Sequence, residues 1–338
     1  MSLKSTEIKD LVNDSSYDGE GRCLYDYYIV FKSIFNINYI VYANNNTIIL
    51  FNLIENKTLT IKNAHNSQIT NFNHYSDKKN KRDLILSLSN SDNNIKLWNG
   101  YNFECLYNFK DIYNKGYINS TCFLNYKENI YIITSNCLFP MAKCSGLFVY
   151  NLNGNFEKSI DNCSKSYDGV FYLNSYYDIE LNKNYIITGN CGYCKSFDFE
   201  EGKLYNKYFD NDSYCMGLII VKHLFIYNND GKIKLIEINT LSNMKIWDFH
   251  SKELLTKIES KEEIFAACLW NNEYLLFGGK NCLIKVFDLS KKVIVDTLFN
   301  KDEKNNILDI KVINHPLYGK SLIFLEGKII KISKIVVE

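Results

Sequence analysis

The chain is poor in several things at once. Only 2 prolines stand among its 338 residues, and nowhere do Gly, Ser or Pro gather into a linker-like stretch. Arginine occurs only as Arg22 and Arg82, so bidentate recognition of phosphate has little to work with. The net charge is +1, from 39 basic and 38 acidic residues, which leaves no excess for a nucleic-acid footprint. No apolar run approaches the ~20 residues that cross a bilayer as a helix. The start, Met1-Ser2-Leu3-Lys4-Ser5-Thr6-Glu7, carries no apolar signal region. The histidines (His65, His74, His223, His250 and His315) fall in no His-Glu-x-x-His, and no Gly-x-Ser-x-Gly marks a nucleophile elbow. Together these absences predict a chain that is not an enzyme, carries no cofactor or metal, and has neither a nucleic-acid nor a membrane partner. Cysteine is plentiful, at 11, and an odd count points to a reducing compartment: the cytoplasm is expected, with the nucleus as the secondary alternative.

What the chain does have is a repeat. Short apolar runs recur at Tyr39–Ala43, Leu84–Leu88, Ile130–Thr134, Tyr185–Thr188, Ile233–Ile238, Tyr274–Phe277 and Leu322–Leu325. Each is followed by a turn and a strand closing on a large anchor: Phe51, Trp98, Tyr150, Phe197, Trp247, Phe287 and Ile332. Successive anchors lie 47, 52, 47, 50, 40 and 45 residues apart. A period of ~40–50 residues with about four strands per unit is the signature of a β-propeller. The runs are too short for core helices and show no helical period. They are apolar at consecutive positions, as strands buried on both faces are. The expected fold is therefore all-β: a seven-bladed propeller of four-stranded antiparallel blades, one domain over 1–338.

The second unit reads most clearly, with strands expected at Gln68–Tyr75, Leu84–Ser89, Ile95–Trp98 and Glu104–Phe109 and a polar turn at 90–94. In the fifth unit Leu224–Tyr227 competes with Ile233–Ile238 for the second strand. The latter is preferred because it precedes Trp247 by the spacing that separates Leu84 from Trp98. The seventh unit holds three strands, so a segment within 1–24 is expected to supply the fourth and close the ring. Gly21–Tyr25 and Leu3–Val12 are the candidates, the latter also readable as a short amphipathic helix. Closure removes exposed sheet edges.

These residues resemble the WD40-repeat propellers over roughly residues 25–335. Unit two carries His65, Ser87 (or Ser89), Asp92 and Trp98 at the spacing of that family's buried hydrogen-bond set. Such polar groups, buried together, must satisfy one another. The Trp/Asp pair is intact once, as Trp247-Asp248. It is softened to Phe51-Asn52, Trp98-Asn99, Tyr150-Asn151, Phe197-Asp198 and Phe287-Asp288. The resemblance implies a non-catalytic scaffold that binds peptides or protein partners within a multiprotein complex. It implies that the binding rim carries the turns between second and third strands and the loops linking blades. Ser91, Asn93, Phe139, Met141, Tyr193, Asn243 and Lys280 are the residues expected there. Phe139, Met141 and Tyr193 are the expected anchors, since exposed aromatics and Met dominate such patches.

Four other motifs compete. Cys191-Gly192-Tyr193-Cys194 has redox or half-zinc spacing, and Cys137, Cys144, Cys163 and Cys215 fall near the same rim. A metal- or redox-responsive rim on Cys137, Cys144, Cys191 and Cys194 is thus the rival reading. Against it, Cys194 stands three residues before Phe197, as Ile95 does before Trp98, which is a core position. Tyr318-Gly319-Lys320-Ser321 echoes a phosphate loop without its first glycine and opens a strand; its preceding His315-Pro316 is expected in a loop from an outer to an inner strand. Trp247-Asp248-Phe249-His250 is similar to an adaptor-docking motif that needs Arg where His250 stands. The basic run at Lys78–Arg82 lies between Asp77 and Asp83 and reads as a solvated loop.

Overall fold

The computed structural model describes residues 11–12, 28–89, 91–109, 117–137, 146–161, 169–210, 221–229, 231–239, 243–260, 263–270, 272–279, 283–299, 306–315, 319–326 and 329–334. They form seven four-stranded antiparallel sheets and no helix. Blade 1 comprises Tyr28–Lys32, Asn38–Asn44, Thr47–Asn52 and Lys57–Ile61, and blade 2 Asn71–Asp77, Arg82–Ser89, Asn94–Asn99 and Cys105–Phe109. Blade 3 is Tyr117–Tyr126, Asn129–Cys137, Gly146–Asn151 and Phe156–Asp161; blade 4 is Tyr172–Asp178, Lys183–Gly189, Cys194–Asp198 and Lys203–Tyr208. Blade 5 runs through Val221–Asn229, Lys232–Asn239, Asn243–Asp248 and Leu254–Glu259, and blade 6 through Ile264–Trp270, Tyr274–Gly279, Leu283–Asp288 and Val293–Phe299. Blade 7 takes Ile307–His315, Gly319–Glu326 and Ile329–Lys334 from the end of the chain and Leu11–Val12 from its start. First strands of successive blades touch all the way round, blade 7 against blade 1 included. This is the expected seven-bladed ring, closed by an N-terminal strand.

Seven hydrophobic clusters hold the ring, each centred between two neighbouring blades, with Phe265 of blade 6 joining the one between blades 7 and 1. Trp98 of blade 2 packs with Val41, Ile48 and Leu50 of blade 1. Trp247 of blade 5 packs with Tyr185, Ile187 and Tyr208 of blade 4. Phe51, Tyr150, Phe197 and Phe287 likewise face the preceding blade. Burying one such wedge stabilises by about 2–3 kcal/mol, against about 1 kcal/mol net for a typical hydrogen bond. Apolar anchors therefore hold the ring in blades that lack the buried polar set.

The residue after each anchor has its own task. The side-chain oxygen of Asn52, Asn99, Asn151, Asp198, Asp248 or Asp288 accepts backbone N–H groups of the turn that follows. An Asx turn needs one acceptor oxygen and no charge, so Asn serves as well as Asp. The softened pairs are thus intact in function. In five blades the fourth strand then bulges opposite the anchor, leaving one extra residue (Leu106, Glu157, Tyr205, Leu255 or Val295) on the outer edge.

Several expectations shift. The first strand of blade 2 starts at Asn71, three residues later than expected, and Asn94 belongs to the third strand. Ile233–Ile238 does lie in a second strand, and Leu224–Tyr227 in the first strand beside it. Leu11–Val12 is strand and pairs with Ile329–Ile330, so the closing segment is the end of Leu3–Val12; Gly21–Tyr25 and residues 3–10 lie outside the described residues. Ile332 is not the seventh wedge. It packs toward blade 1, while its neighbour Lys331 takes the alternate face; a one-residue offset flips every side chain of a strand. His315 ends the first strand of blade 7 and Gly319 opens the second, so that turn is an intra-blade hairpin and not a loop between blades.

In blade 2, Trp98 Nε1 donates to Ser87 Oγ at 2.8 Å, and Ser87 Oγ lies 2.7 Å from His65 Nε2. A neutral imidazole protonated on Nδ1 satisfies this chain. Burial depresses the His65 pKa to about 4, so it is neutral at pH 7. Asp92 Oδ2 accepts the Asn66 N–H at 2.9 Å and stands 3.8 Å from His65 Nδ1, too far for a hydrogen bond. Ser89 is buried, and its hydroxyl has no partner among the described residues. Ser87→Ala leaves both the indole and the imidazole without their shared partner and should cost about 2–3 kcal/mol. Ser87→Thr should restore most of that, since Thr134 and Thr188 fill the equivalent place in blades 3 and 4. Thermal melts of the two variants decide this; equal melting temperatures would refute it.

Candidate functional site

One end of the ring carries the turns between second and third strands and the loops between blades; the other carries the hairpins joining first to second and third to fourth strands. Of the residues expected at a binding rim, Ser91, Asn93, Tyr193 and Asn243 are described, and all lie at the first end. Phe139, Met141 and Lys280 lie outside the described residues. Ser91 is exposed. Asn93 is bound into the scaffold: it sits at φ 52°, and its Oδ1 accepts the Ile118 N–H of blade 3 at 2.9 Å. The Asn243 N–H donates to Asn239 Oδ1 at 3.2 Å. Tyr193 is half-buried, with Lys207 Nζ 4.2 Å over its ring and Phe209 edge-on at 6.2 Å. This end of blade 4 therefore presents an aromatic pair with an attached cation.

The cysteine-rich rim gains no support. Cys191 is half-buried and Cys194 wholly buried, and neither is in a disulfide. Burial first, and then the nearby Glu237, push the Cys194 pKa well above the ordinary thiol range, the opposite of what a metal-binding or redox thiolate requires. The Cys137 side chain and Cys144 are not among the described residues. No group of three or more His, Cys, Asp or Glu residues able to hold a metal occurs among the described residues.

Cys194 belongs instead to a buried polar joint between blades 4 and 5. Glu237 occupies in blade 5 the place of Ser87 in blade 2, and its Oε2 accepts Trp247 Nε1–H at 3.2 Å. The carboxyl is wholly buried, and its Oε1 has no hydrogen-bond partner among the described residues. Lys245 is also buried and pairs with Asp210 at 2.7 Å. Burial raises the Glu237 pKa from 4.5 to about 7, while Lys245, Cys194 and Trp247 work to lower it and Asp210 to raise it.

The other end of the ring was not legible in the sequence. A cavity of about 640 Å³ opens between blades 2, 3 and 4. Asn73, Cys122 and Asn174 line it from three successive first strands, with Asn125, Asn182 and Asn184 at the hairpins. Asn73 donates to the Thr121 carbonyl at 2.8 Å, and Ser175 Oγ donates to the Phe123 carbonyl at 2.7 Å, so these polar groups also tie the blades together. The rim charges pair across blades, Lys79 with Glu128 and Lys127 with Glu200. At its lip stands the first hairpin of blade 4, where Ile179 is 80% exposed with Tyr177 and Leu181 beside it. Only the pairing of distant hairpins reveals this; a lone Ile between Asp178 and Glu180 gives no sequence signal.

No family model matches the chain, and no curated protein matches it. Among solved structures 1482 chains match, so the likeness marks a much-used scaffold. One is the crystal structure of Raptor from Chaetomium thermophilum, with a TM-score of 0.67 at 15% identity over 91% of this chain and 28% of that one. The chain thus spans little more than a quarter of that protein's length. With the blade geometry, this supports a WD40-like fold.

The Glu237 joint makes a testable prediction. The folded protein holds a proton that an unfolded glutamate has lost between pH 4.5 and about 7. The stability gained from that proton is fully present below pH 4.5 and is lost as pH rises through about 7. Glu237→Gln, neutral at every pH, should be more stable than the parent by about 3 kcal/mol at pH 8, the gain vanishing at low pH. Denaturation curves at the two pH extremes test this, and a pH-independent difference would contradict it.

Proposed function

We propose that this protein is a non-catalytic protein-interaction scaffold of the cytoplasm, binding peptide or protein partners on the loop-bearing ends of its propeller. The observation that carries the reading is the first hairpin of blade 4. Three large apolar side chains, Tyr177, Ile179 and Leu181, are held out in water at the lip of an amide-lined cavity. The hairpin is not loose in sequence terms: Asp178, wholly buried at its base, accepts the N–H groups of Glu180 and Leu181 at 3.0 and 3.1 Å. A scaffold that spends backbone hydrogen bonds to fix an apolar tip in solvent is arranged for contact, because such a tip adds nothing to the core. Rigid rings with clustered loops are also where recognition concentrates. The aromatic pair Tyr193 and Phe209 gives the opposite end a second contact point.

Ile179→Ser with Leu181→Ser should leave the melting temperature unchanged within about 1 °C, because both side chains are exposed and surface substitutions shift stability little. Affinity capture from source-cell extract should then recover the parent's partners at a fraction of their yield. Tyr193→Ala, assayed in parallel, reports on the other end. Partner recovery equal to the parent's in both variants would remove the basis for the proposal.

A further inference from the structure

The basic run Lys78–Arg82 is exposed from Lys78 to Lys81, as a solvated loop is, but its cations are not equivalent. Lys79 reaches Glu128 of blade 3, and Arg82 Nε pairs with Asp77 at 2.8 Å. Among the described residues Lys78 and Lys81 meet no carboxylate, and neither does Lys32 from blade 1. All three line one cavity of about 490 Å³ between the first hairpins of blades 1 and 2, with Ser33, Ile34, Phe35 and Ser76. The flanking acids that seemed to neutralise the run point elsewhere. Asp77 is used by Arg82 and Asn80, and Asp83 turns inward.

Asp83 organises the corner. Its Oδ1 accepts from His74 Nε2 at 2.8 Å and Ser76 Oγ at 2.9 Å, and its Oδ2 from the Ile34 N–H at 2.9 Å. Burial works to raise its pKa, yet these donors together hold it below the ordinary carboxylate value. Its backbone carbonyl accepts the Gly100 N–H at 2.7 Å, an approach that only glycine permits, since a Cβ there would lie 2.8 Å from Asp83 Cβ. Asp83 thus fixes the residues just before Phe35 and Tyr101. The two rings meet edge to face at 5.8 Å while remaining 56% and 63% exposed. A buried carboxylate with three donors holds an exposed aromatic pair beside three ammonium groups that meet no carboxylate among the described residues.

We propose that this corner between blades 1 and 2 docks a short acidic peptide segment carrying an aromatic or aliphatic residue, the acids meeting Lys32, Lys78 and Lys81 and the apolar side chain lying on Phe35 and Tyr101. The inference rests on the reading of the protein as an interaction platform. Charge complementarity selects an anion, and the exposed ring pair selects an apolar group next to it. The surrounding hairpins select a short ligand. Glu55, Glu104 and Glu128 are exposed at the same end of the ring and would repel an extended anionic surface or a nucleic-acid strand.

Fluorescence anisotropy on the full chain tests this with a labelled, capped peptide of Asp and Glu around a central Trp. Saturable binding that weakens with added salt is expected, at least about tenfold weaker for Lys78→Glu with Lys81→Glu, and weaker again for Phe35→Ser. Melting temperatures confirm that these exposed substitutions leave the fold intact. Absence of saturable binding, or binding indifferent to the lysine reversals, overturns the proposal. So does tighter, lysine-dependent binding of phosphatidylserine vesicles or of a single-stranded oligoribonucleotide, which would replace the peptide by another anion. Peptide binding that survives the lysine reversals but is lost in Ile179→Ser overturns this site and leaves the platform reading standing.

Discussion

Every blade of this ring is a sheet with two apolar faces, and neither face can be left in water. Second strands such as Arg82–Ser89 and Lys183–Gly189 are buried almost end to end. A lone four-stranded sheet of that kind would expose both faces. Arranged in a circle, each blade covers its neighbour, and the seven interfaces become one closed system. The short strand Leu11–Val12 matters for that reason: it completes blade 7 beside Ile329–Lys334 and ties the start of the described chain to its end. A linear stack of the same blades would leave two apolar faces bare. The circle leaves none, and it accepts any wedge that is large and apolar.

That tolerance explains how the sequence could lose most of its polar motif. Blade 2 keeps indole, hydroxyl and imidazole in one chain of contacts. Blade 5 keeps the indole but answers it with a carboxyl, and four other blades close on Phe or Tyr. A wedge contributes chiefly through the area it removes from water, so losing the hydrogen-bond set leaves the interface in place. What persists more strictly is turn chemistry. An Asx oxygen after the anchor recurs in six blades, and the turn it caps then reaches a left-handed residue at Asn56, Phe103, Gly202, Lys252 and Lys292. Backbone donors cannot be left unmet, whereas one apolar side chain can replace another.

The same distinction sets what could be read from residues alone. Periodic apolar runs and anchors report on burial, so ring, blade number and most second strands were legible. In blade 7 Ile330 and Ile332 alternate with Lys331 and Ser333, so the hydropathy pattern puts the wedge on the wrong face of the strand. In the folded ring Lys331 is buried on the other face, which no hydropathy pattern anticipates. The binding rim was legible only by analogy. Asn93 looked like a free turn residue, yet its amide holds the next blade in place. Cys194, which its spacing before Phe197 marks as core despite the CxxC, does pack in the core against blade 5. The apolar tip at Ile179 and the corner at Phe35 depend on which hairpins become neighbours, and that is decided by the ring.

Satisfaction of partners therefore separates structural polar residues from available ones. Around the ring several charges are matched across or within blades: Lys127 with Glu200, Lys183 with Asp198, Lys245 with Asp210. In a nearly neutral chain, a cation without a partner is informative only where others are paired at comparable exposure. Lys79 and Lys127 are such controls, for they are exposed hairpin lysines and each has its glutamate in the next blade. Lys78 and Lys81 lie one and two positions from Lys79 and have none among the described residues. The difference cannot come from composition or exposure. It comes from where the hairpin points them, into a cavity with no carboxylate among its described lining residues; the nearby Asp83 is already held by a backbone amide, an imidazole and a hydroxyl. An anion from outside the chain is the partner such an arrangement lacks.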